Sequence, residues 1–213
     1  MTALAGKLRI ALVSATAVAA IGGATAPAAS AGLLVTTAQS CDANVLSQPF
    51  STFGDQAWYT QVPGGSFERG SQAWTLTGGA KIVSGNESWF VRSKKDSLSL
   101  SIPAGGTATS PSMCVGLSEP TLRYFAKQAG SLLGLTGEMS VEVLTETSLG
   151  DIVAAPLLPG ALTTSWTASA PTPVVANLLP LLPNDKTAVA FRYHAVSGNW
   201  GIDDVYVDPY RSH

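Results

Sequence analysis

From residue 58 to residue 207 the chain is a succession of short apolar stretches separated by Gly, Pro, Ser and Asn. Residues 97–102, 121–127, 139–146 and 187–194 alternate apolar and polar side chains with a period of two. Alternation over about four to eight residues is typical of a half-buried β-strand. We therefore predict an all-β fold in one domain, a single jelly-roll β-sandwich of about nine or ten short strands.

Four local predictions follow from the same pattern. Residues 88–92 are expected to form a short strand and residues 103–111 a loop, and the apolar residues 152–158 are expected to be buried. Gly78-Gly79, between two apolar stretches, indicates a tight turn or bulge. These predictions set where the candidate ligand-binding side chains are expected to lie.

The first 31 residues predict an export signal. Lys7 and Arg9 form a basic start, residues 10–21 are apolar, and Ala29-Ser30-Ala31 matches a small-x-small cleavage pattern. An uncleaved anchor is the alternative, but this run is short and rich in Ala, Gly and Thr. The predicted layout is a signal peptide at 1–31, an irregular segment at 32–56, the sandwich at 57–210 and a tail at 211–213.

Net charge narrows the choice of partner. Without residues 1–31 the chain keeps ten of its twelve Lys and Arg and all fourteen Asp and Glu, a net charge of −4. No long basic tract remains, which argues against nucleic acid and against an anionic membrane surface. We expect a protein that is secreted or associated with the cell surface, and not inserted in a membrane after processing.

The chain contains two cysteines, Cys41 and Cys114. In an oxidising compartment a single pair predicts one disulfide, which would stabilise the fold by roughly 4 kcal/mol on the chain-entropy model. Two buried free thiols are the alternative. With His194 and His213 as the remaining soft ligands, a zinc site of the usual Cys and His type is not expected.

Aromatic side chains are the candidate sugar platforms, because a flat ring stacks on the C–H face of a pyranose. Trp89 follows the polar segment 84–87, so it is the favoured exposed candidate. Asn86 and Tyr59 complete the expected ligand-binding set. The alternative is that such rings pack in the core, which is the assignment we make for Trp74.

Two motifs carry a resemblance. GGSFERGSQAW at residues 64–74 and NWGIDDVYVD at residues 199–208 resemble the opening and closing strands of galactose-binding-like jelly rolls. That group includes many carbohydrate-binding modules and related MAM-like sandwiches. The chain as a whole also resembles short secreted actinobacterial proteins, which implies no activity.

The resemblance implies a structural calcium ion, held by Glu68 and by Asp203 or Asp204. Calcium takes six to eight oxygen ligands, and carboxylates from neighbouring strand ends supply charge to such a site. In the alternative, Asp203 caps a turn or meets Arg92 or Lys94, and Asp204 is solvated.

The resemblance favours a non-catalytic module that binds a carbohydrate or a cell-envelope glycan. A structural or protein-interaction domain at the cell surface is the alternative, and a glycan-active hydrolase is the third. The sequence contains no G-x-S-x-G and no H-E-x-x-H motif. A glycosidase needs two facing carboxylates, so Glu68, Glu87, Asp203 and Asp204 leave the hydrolase formally open.

Overall fold

The structure is a computed structural model that describes residues 34, 45–70, 74–116, 120–129, 137–147, 151–157, 164–174 and 186–209. These residues form fourteen β-strands and a short 3-10 turn at Ser51–Phe53. The strands are β1 (Leu46–Ser47), β2 (Tyr59–Gln61), β3 (Thr75–Thr77), β4 (Lys81–Ser84), β5 (Leu98–Ile102), β6 (Thr107–Thr109), β7 (Met113–Gly116), β8 (Thr121–Ala129), β9 (Met139–Glu146), β10 (Ile152–Leu157), β11 (Thr167–Ala168), β12 (Thr172–Pro173), β13 (Lys186–Ala195) and β14 (Asn199–Asp208). The predicted signal peptide and tail lie outside the described residues. Among the described residues no helix is long and apolar enough to cross a bilayer.

The strands form two antiparallel sheets. In sheet A the order is β1-β2-β14-β5-β4, and β8 lies along the other edge of β14 and also pairs with β11 and β12. In sheet B the order is β10-β9-β13-β6-β3, with β7 also paired to β13. The predicted all-β sandwich is confirmed, with more strands than the nine or ten expected because several have only two or three residues.

The core lies between the inner faces of the two sheets. Alternate residues of each long strand enter it, as the period of two requires. Tyr124 and Ala126 of β8 face Phe191 and Tyr193 of β13 in this cluster, and Trp74 is also buried there, as predicted. The intervening residues point outward from the sandwich, so each sheet has an outer face on which a ligand could bind.

The outer face of sheet A carries a second apolar cluster. Phe50, Tyr59, Phe125 and Tyr206 are buried in it, and the segment before β2 covers them. Arg123 fixes this segment, because its Nη1 contacts Asp55 Oδ2 at 2.6 Å and its guanidinium lies 4.1 Å from the centre of the Phe50 ring.

Three local predictions were wrong, and one was confirmed. Residues 88–92 form turns instead of a strand, and the expected loop 103–111 contains β6. β10 lies at the edge of sheet B, where Ile152 and Val153 are nearly half exposed, so this apolar strand is not buried as expected. Gly78-Gly79 does form a turn, with positive φ at both residues.

Strand β14 organises sheet A through a fork. One edge of β14 pairs with β8 along its length, while the other edge pairs with β5 through residues 200–202 and with β2 through residues 206–207. A register shift separates the two halves, and Asp204 there has φ +44°, in the left-handed region. The bulge leaves Asp203 and Asp204 at the gap between β5 and β2.

Candidate functional site

A groove of about 380 Å³ crosses the outer face of sheet B. Its described lining consists of polar side chains from four adjacent strands, namely Thr75, Thr77, Thr107, Thr109, Glu142, Arg192 and His194. Each alternates with a residue that faces the core, as Ala108 does between Thr107 and Thr109. The volume lies within the range of about 300–1,000 Å³ usual for ligand pockets.

The strand register arranges these side chains in two rows. Thr75, Thr109, Arg192 and Glu142 are successive cross-strand neighbours, which makes one row across β3, β6, β13 and β9. Thr77, Thr107 and His194 make the second row in the same way. With strands about 4.8 Å apart, the first row spans roughly 14 Å and the second roughly 10 Å. The groove is therefore long enough to contact an extended ligand at several points.

The two charged side chains of the groove neutralise each other. Arg192 Nε donates to Glu142 Oε2 at 2.6 Å, and both side chains remain partly open to solvent. A pair this exposed contributes little to stability. Its main effect is to hold a donor and an acceptor in fixed positions, beside threonine hydroxyls that both donate and accept.

The second candidate site is the group of carboxylates at the β14 fork. Glu87, Asp203 and Asp204 are each 0% exposed. Asp203 Oδ2 accepts the backbone N–H of Glu87 at 2.8 Å, and Oδ1 accepts that of Asp204 at 2.9 Å. The Glu87 carboxylate accepts the backbone N–H groups of Trp89 and Val91. These acids shape the backbone around them, so the interpretation of Asp203 as a turn cap is supported.

Asp204 differs from its neighbours in having an unused acceptor. Its Oδ1 accepts a hydrogen bond from Gln61 Nε2 at 3.2 Å, whereas Oδ2 is buried without a hydrogen-bond partner among the described residues. The alternative in which Asp204 is solvated is wrong, because the bulge turns this side chain inward. A buried acceptor with no partner is costly, and a proton or a cation would satisfy it.

The electrostatics of the fork favour positive charge. Burial, followed by repulsion from Asp204, raises the pKa of Asp203 to about 8. Burial, followed by repulsion from Glu87 and Asp96, raises the pKa of Asp204 to about 7. Burial also raises the pKa of Glu87, although its backbone hydrogen bonds oppose the shift. Asp203 and Asp204 therefore hold protons far more tightly than free carboxyl groups.

Glu68 lies at the rim of this fork. Its Oε1 accepts the backbone N–H groups of Ser97 (2.6 Å) and Leu98 (2.7 Å), at the start of β5. Arg92 pairs with Asp96, with Nε 2.8 Å from Oδ2, and not with Asp203 as the alternative had it. Arg92 and Glu68 line a cleft of about 250 Å³ together with Arg69 and Gln61.

The predicted calcium ligands, Glu68 with Asp203 or Asp204, do not all share one geometry. Within the described ranges no three His, Cys, Asp or Glu side chains are grouped as metal ligands. Asp204 Oδ2 is suited to a hard cation, and the raised pKa of Asp203 and Asp204 reflects burial first and repulsion among neighbouring carboxylates second. Glu68 is committed through one oxygen to backbone amides. Calcium remains a prediction, with the two aspartates as its better-suited ligands.

The three predicted ligand-binding residues have different surroundings. Trp89 is 46% exposed on the outer cluster of sheet A, as expected for a platform. Asn86 Nδ2 donates to the carbonyl of Glu87 (3.0 Å), and its Oδ1 is buried. Tyr59 is 1% exposed and its hydroxyl donates to Asp55 Oδ2 (2.8 Å), so its ring is not open to a sugar. The structure therefore leaves Trp89 as the accessible member of the set.

The predicted disulfide stays a prediction. Cys114 lies in β7 and is 3% exposed. Cys41 lies outside the described residues. Strand β7 is held on the edge of β13 by pairing from Cys114 to Ala188.

No protein-family model matches this sequence, and no curated protein matches it. In structure the chain is similar to the CBM22-1 xylan-binding domain from Paenibacillus barcinonensis Xyn10C (TM-score 0.45, 14% identity, 70% of this chain and 93% of that chain). It is also similar to TmCBM61 in complex with β-1,4-galactotriose (TM-score 0.37, 14% identity, 70% of this chain and 96% of that chain).

A third similar structure is the enzymatically active domain of bacteriophage CBA120 tailspike protein 4 (TM-score 0.44, 18% identity, 68% of this chain and 20% of that chain). The first two are carbohydrate-binding modules, the group that the sequence motifs resemble. Because all three TM-scores lie below 0.5, we draw no conclusion on ligand or activity from these likenesses.

Sequence reasoning missed the groove. Thr107 and Thr109 were expected in a loop, and His194 was the only groove residue considered for chemistry. The available signal was Thr-Ala-Thr and Arg-Tyr-His alternation, which places polar side chains on one face of each strand. What the sequence does not indicate is that β6 lies between β3 and β13.

Proposed function

We propose that this protein is an exported, non-catalytic module that binds a neutral glycan in the groove across sheet B. The observation that carries the proposal is the pair of polar rows, formed by side chains of β3, β6, β13 and β9. A glycan presents many hydroxyl groups, each a donor and an acceptor, and the threonines, His194 and the Arg192–Glu142 pair offer both. The balanced charge favours an uncharged ligand.

Binding through such a groove rests on hydrogen bonds, because its described lining contains no aromatic ring other than the imidazole of His194. Each neutral hydrogen bond contributes about 0.5–1.5 kcal/mol net. Several are needed for measurable affinity, and the two rows supply them along roughly 10–14 Å. The hydrolase alternative needs two facing carboxylates, and the described lining has Glu142, already paired with Arg192.

A structural calcium ion forms the second part of the proposal. Asp203 and Asp204 are the residues that would hold it, and its charge would offset the repulsion among the buried carboxylates at the β14 fork. The ion would lie in sheet A, whereas the groove lies on sheet B, the opposite layer of the sandwich. Its role is to stabilise the fork and not to contact the glycan.

The test is affinity electrophoresis of the purified protein in gels containing xylan, galactan or soluble β-glucan, and a pull-down on insoluble cell wall. The variant Thr107→Val/Thr109→Val removes two groove hydroxyls and keeps side-chain shape. We expect it to weaken binding at least about tenfold, as two lost hydrogen bonds imply. Ser101→Ala, a hydroxyl removed from β5 in sheet A, is the matched control.

Two outcomes would contradict the proposal. Equal affinity of the groove variant and the control would move the site elsewhere. Unretarded migration in every polymer would favour the protein-interaction alternative, for which the partly exposed Ile152 and Val153 on edge strand β10 are the relevant surface.

A further inference from the structure

The long loop between β4 and β5, residues 85–97, buries its acidic side chains and exposes its basic ones. Its acids, Glu87 and Asp96, are buried, whereas its bases, Arg92, Lys94 and Lys95, are exposed. Asp96 neutralises Arg92 in part, and within the described residues neither lysine forms an ion pair. The loop therefore presents a positive surface on a protein whose net charge is −2.

The same loop presents two aromatic rings. Trp89 is 46% exposed and Phe90 is 42% exposed. The Trp89 ring lies 5.1 Å from Phe53 in an edge contact and 5.5 Å from Phe125 at an interplanar angle of 31°. More than half of its surface is thus covered by the outer cluster of sheet A. The uncovered part is a fixed platform, not a side chain that projects freely into solvent.

The backbone of the turn is held by the buried acid beneath it. Glu87 accepts the N–H groups of Trp89 and Val91, and its own N–H donates to Asp203. Phe90 has φ +51°, a left-handed conformation that costs free energy for any residue other than glycine. Strain of this kind persists where the surroundings over-determine it, and it occurs often at binding sites.

We propose that this loop is a second binding site, for an anionic glycan whose sugars carry carboxylate or phosphate groups. One sugar stacks on the exposed face of Trp89, and the anionic groups contact Arg92, Lys94 and Lys95. The site lies on the outer face of sheet A, opposite the groove, so it goes beyond the proposed function. Stacking accounts for the exposed Trp89 ring, which attraction between basic side chains and an anion would not require.

A membrane surface is the competing partner for exposed aromatic and basic residues. The packing of Trp89 favours the glycan, because a ring held between the edge contact with Phe53 and the inclined ring of Phe125 offers a face to stack on and little depth for insertion. The same fixed face suits the C–H side of a pyranose.

The experiment measures the affinity of the purified protein for polygalacturonate, for a phosphomannan and for neutral xylan, at low and high salt. Trp89→Leu keeps apolar cover over Phe53 and Phe125 but removes the indole face. Lys94→Ser/Lys95→Ser removes exposed charge without touching the core. We expect each variant to lose at least about tenfold in affinity for one of the two anionic glycans at low salt, and to keep its xylan binding. The glycan that binds identifies the anion.

Controls separate this site from the groove. Lys81→Ser, an exposed lysine at the other end of β4, should keep full affinity, and Thr107→Val/Thr109→Val should lose xylan binding only. Circular dichroism checks that Trp89→Leu is folded. Loss of affinity in the lysine variant with none in Trp89→Leu would reduce the loop to a nonspecific polyanion surface and overturn the proposal.

Two further results would also overturn it. If the anionic glycans do not bind while xylan still binds in the groove, the second site is ruled out and the proposed function stands. Retention on phosphatidylserine vesicles in place of either glycan would assign the loop to a membrane surface. If an anionic glycan binds in a way that depends on Trp89 and no neutral glycan binds, the groove is ruled out as the binding site of the proposed function and the loop site stands.

Discussion

The substitution Asp204→Asn tests the charge excess at the β14 fork. Burial and repulsion from Glu87 and Asp96 raise the pKa of Asp204 from 3.8 to about 7. A folded-state pKa above the unfolded value means that the folded protein binds the proton more tightly. The resulting stabilisation is complete below pH 3.8 and is lost as the pH rises through about 7. In chelator, wild-type protein should therefore become less stable between pH 4 and pH 8.

The magnitude follows from the size of the shift. One pKa unit corresponds to about 1.4 kcal/mol, so roughly three units give an upper bound of about 4 kcal/mol. Glu87 and Asp203 share this repulsion and relax when one group is protonated. We take about half, or about 2 kcal/mol, as the destabilisation at pH 8. Asparagine keeps the Oδ1 acceptor for Gln61 and supplies an N–H donor where Asp204 Oδ2 has no partner.

Thermal unfolding in chelator at pH 4, 6 and 8 measures the effect. Asp204→Asn should raise Tm at pH 8 by about 4–8 °C and change it little at pH 4, since about 1 kcal/mol shifts Tm by about 2–4 °C at this size. Asp151→Asn, at an exposed aspartate directly before β10, is the control. Added calcium at pH 8 should raise Tm of the wild type more than that of the variant. A wild-type Tm that does not fall between pH 4 and pH 8 would refute the reasoning.

Three further substitutions probe the fold. Arg123→Met should cost about 3 kcal/mol, because it leaves the Asp55 carboxylate without its ion pair, and limited proteolysis should then cut the segment before β2 faster. Gly65→Ala should cost about 1–3 kcal/mol, since a Cβ there would lie 2.8 Å from the carbonyl oxygen of Val205. Phe191→Ala in the core should cost about 3–5 kcal/mol. Denaturant unfolding measures all three, and an unchanged midpoint in any of them would contradict the packing described here.

The sequence predicted the sheet-forming stretches well where the two-residue period was long. β8, β9, β13 and β14 each lie within about two residues of an expected strand, because their apolar positions pack on a single core. It failed where strands are short or partly exposed. β6 has only three residues beside Gly and Pro, and β10 is apolar on the exposed edge of sheet B.

The candidate sites were predictable to different degrees. Asp203 and Asp204 were identified through the resemblance of the closing-strand motif, supported by the cost of placing a carboxylate among apolar residues. The β14 fork in which they lie was not predicted, since the bulge depends on β5 and β2 ending beside each other. Glu87 was considered only as a carboxylate for the hydrolase alternative, because its neighbours 88–92 were expected to form a strand. The groove depended on pairing between distant strands, which local periodicity does not determine.

The position of β14 has a consequence for the order of folding. This strand pairs with β2, β5 and β8, and the hydrogen bond between Gln61 and Asp204 joins residues 143 positions apart. Closing so long a loop is entropically slow, and domains rich in distant contacts fold over milliseconds to seconds. Sheet A cannot close until residues 199–208 are free to enter between strands formed from earlier parts of the chain. Until then the edge of β8 that pairs with β14 remains open, so a chaperone that binds unpaired strands has its longest opportunity at this stage.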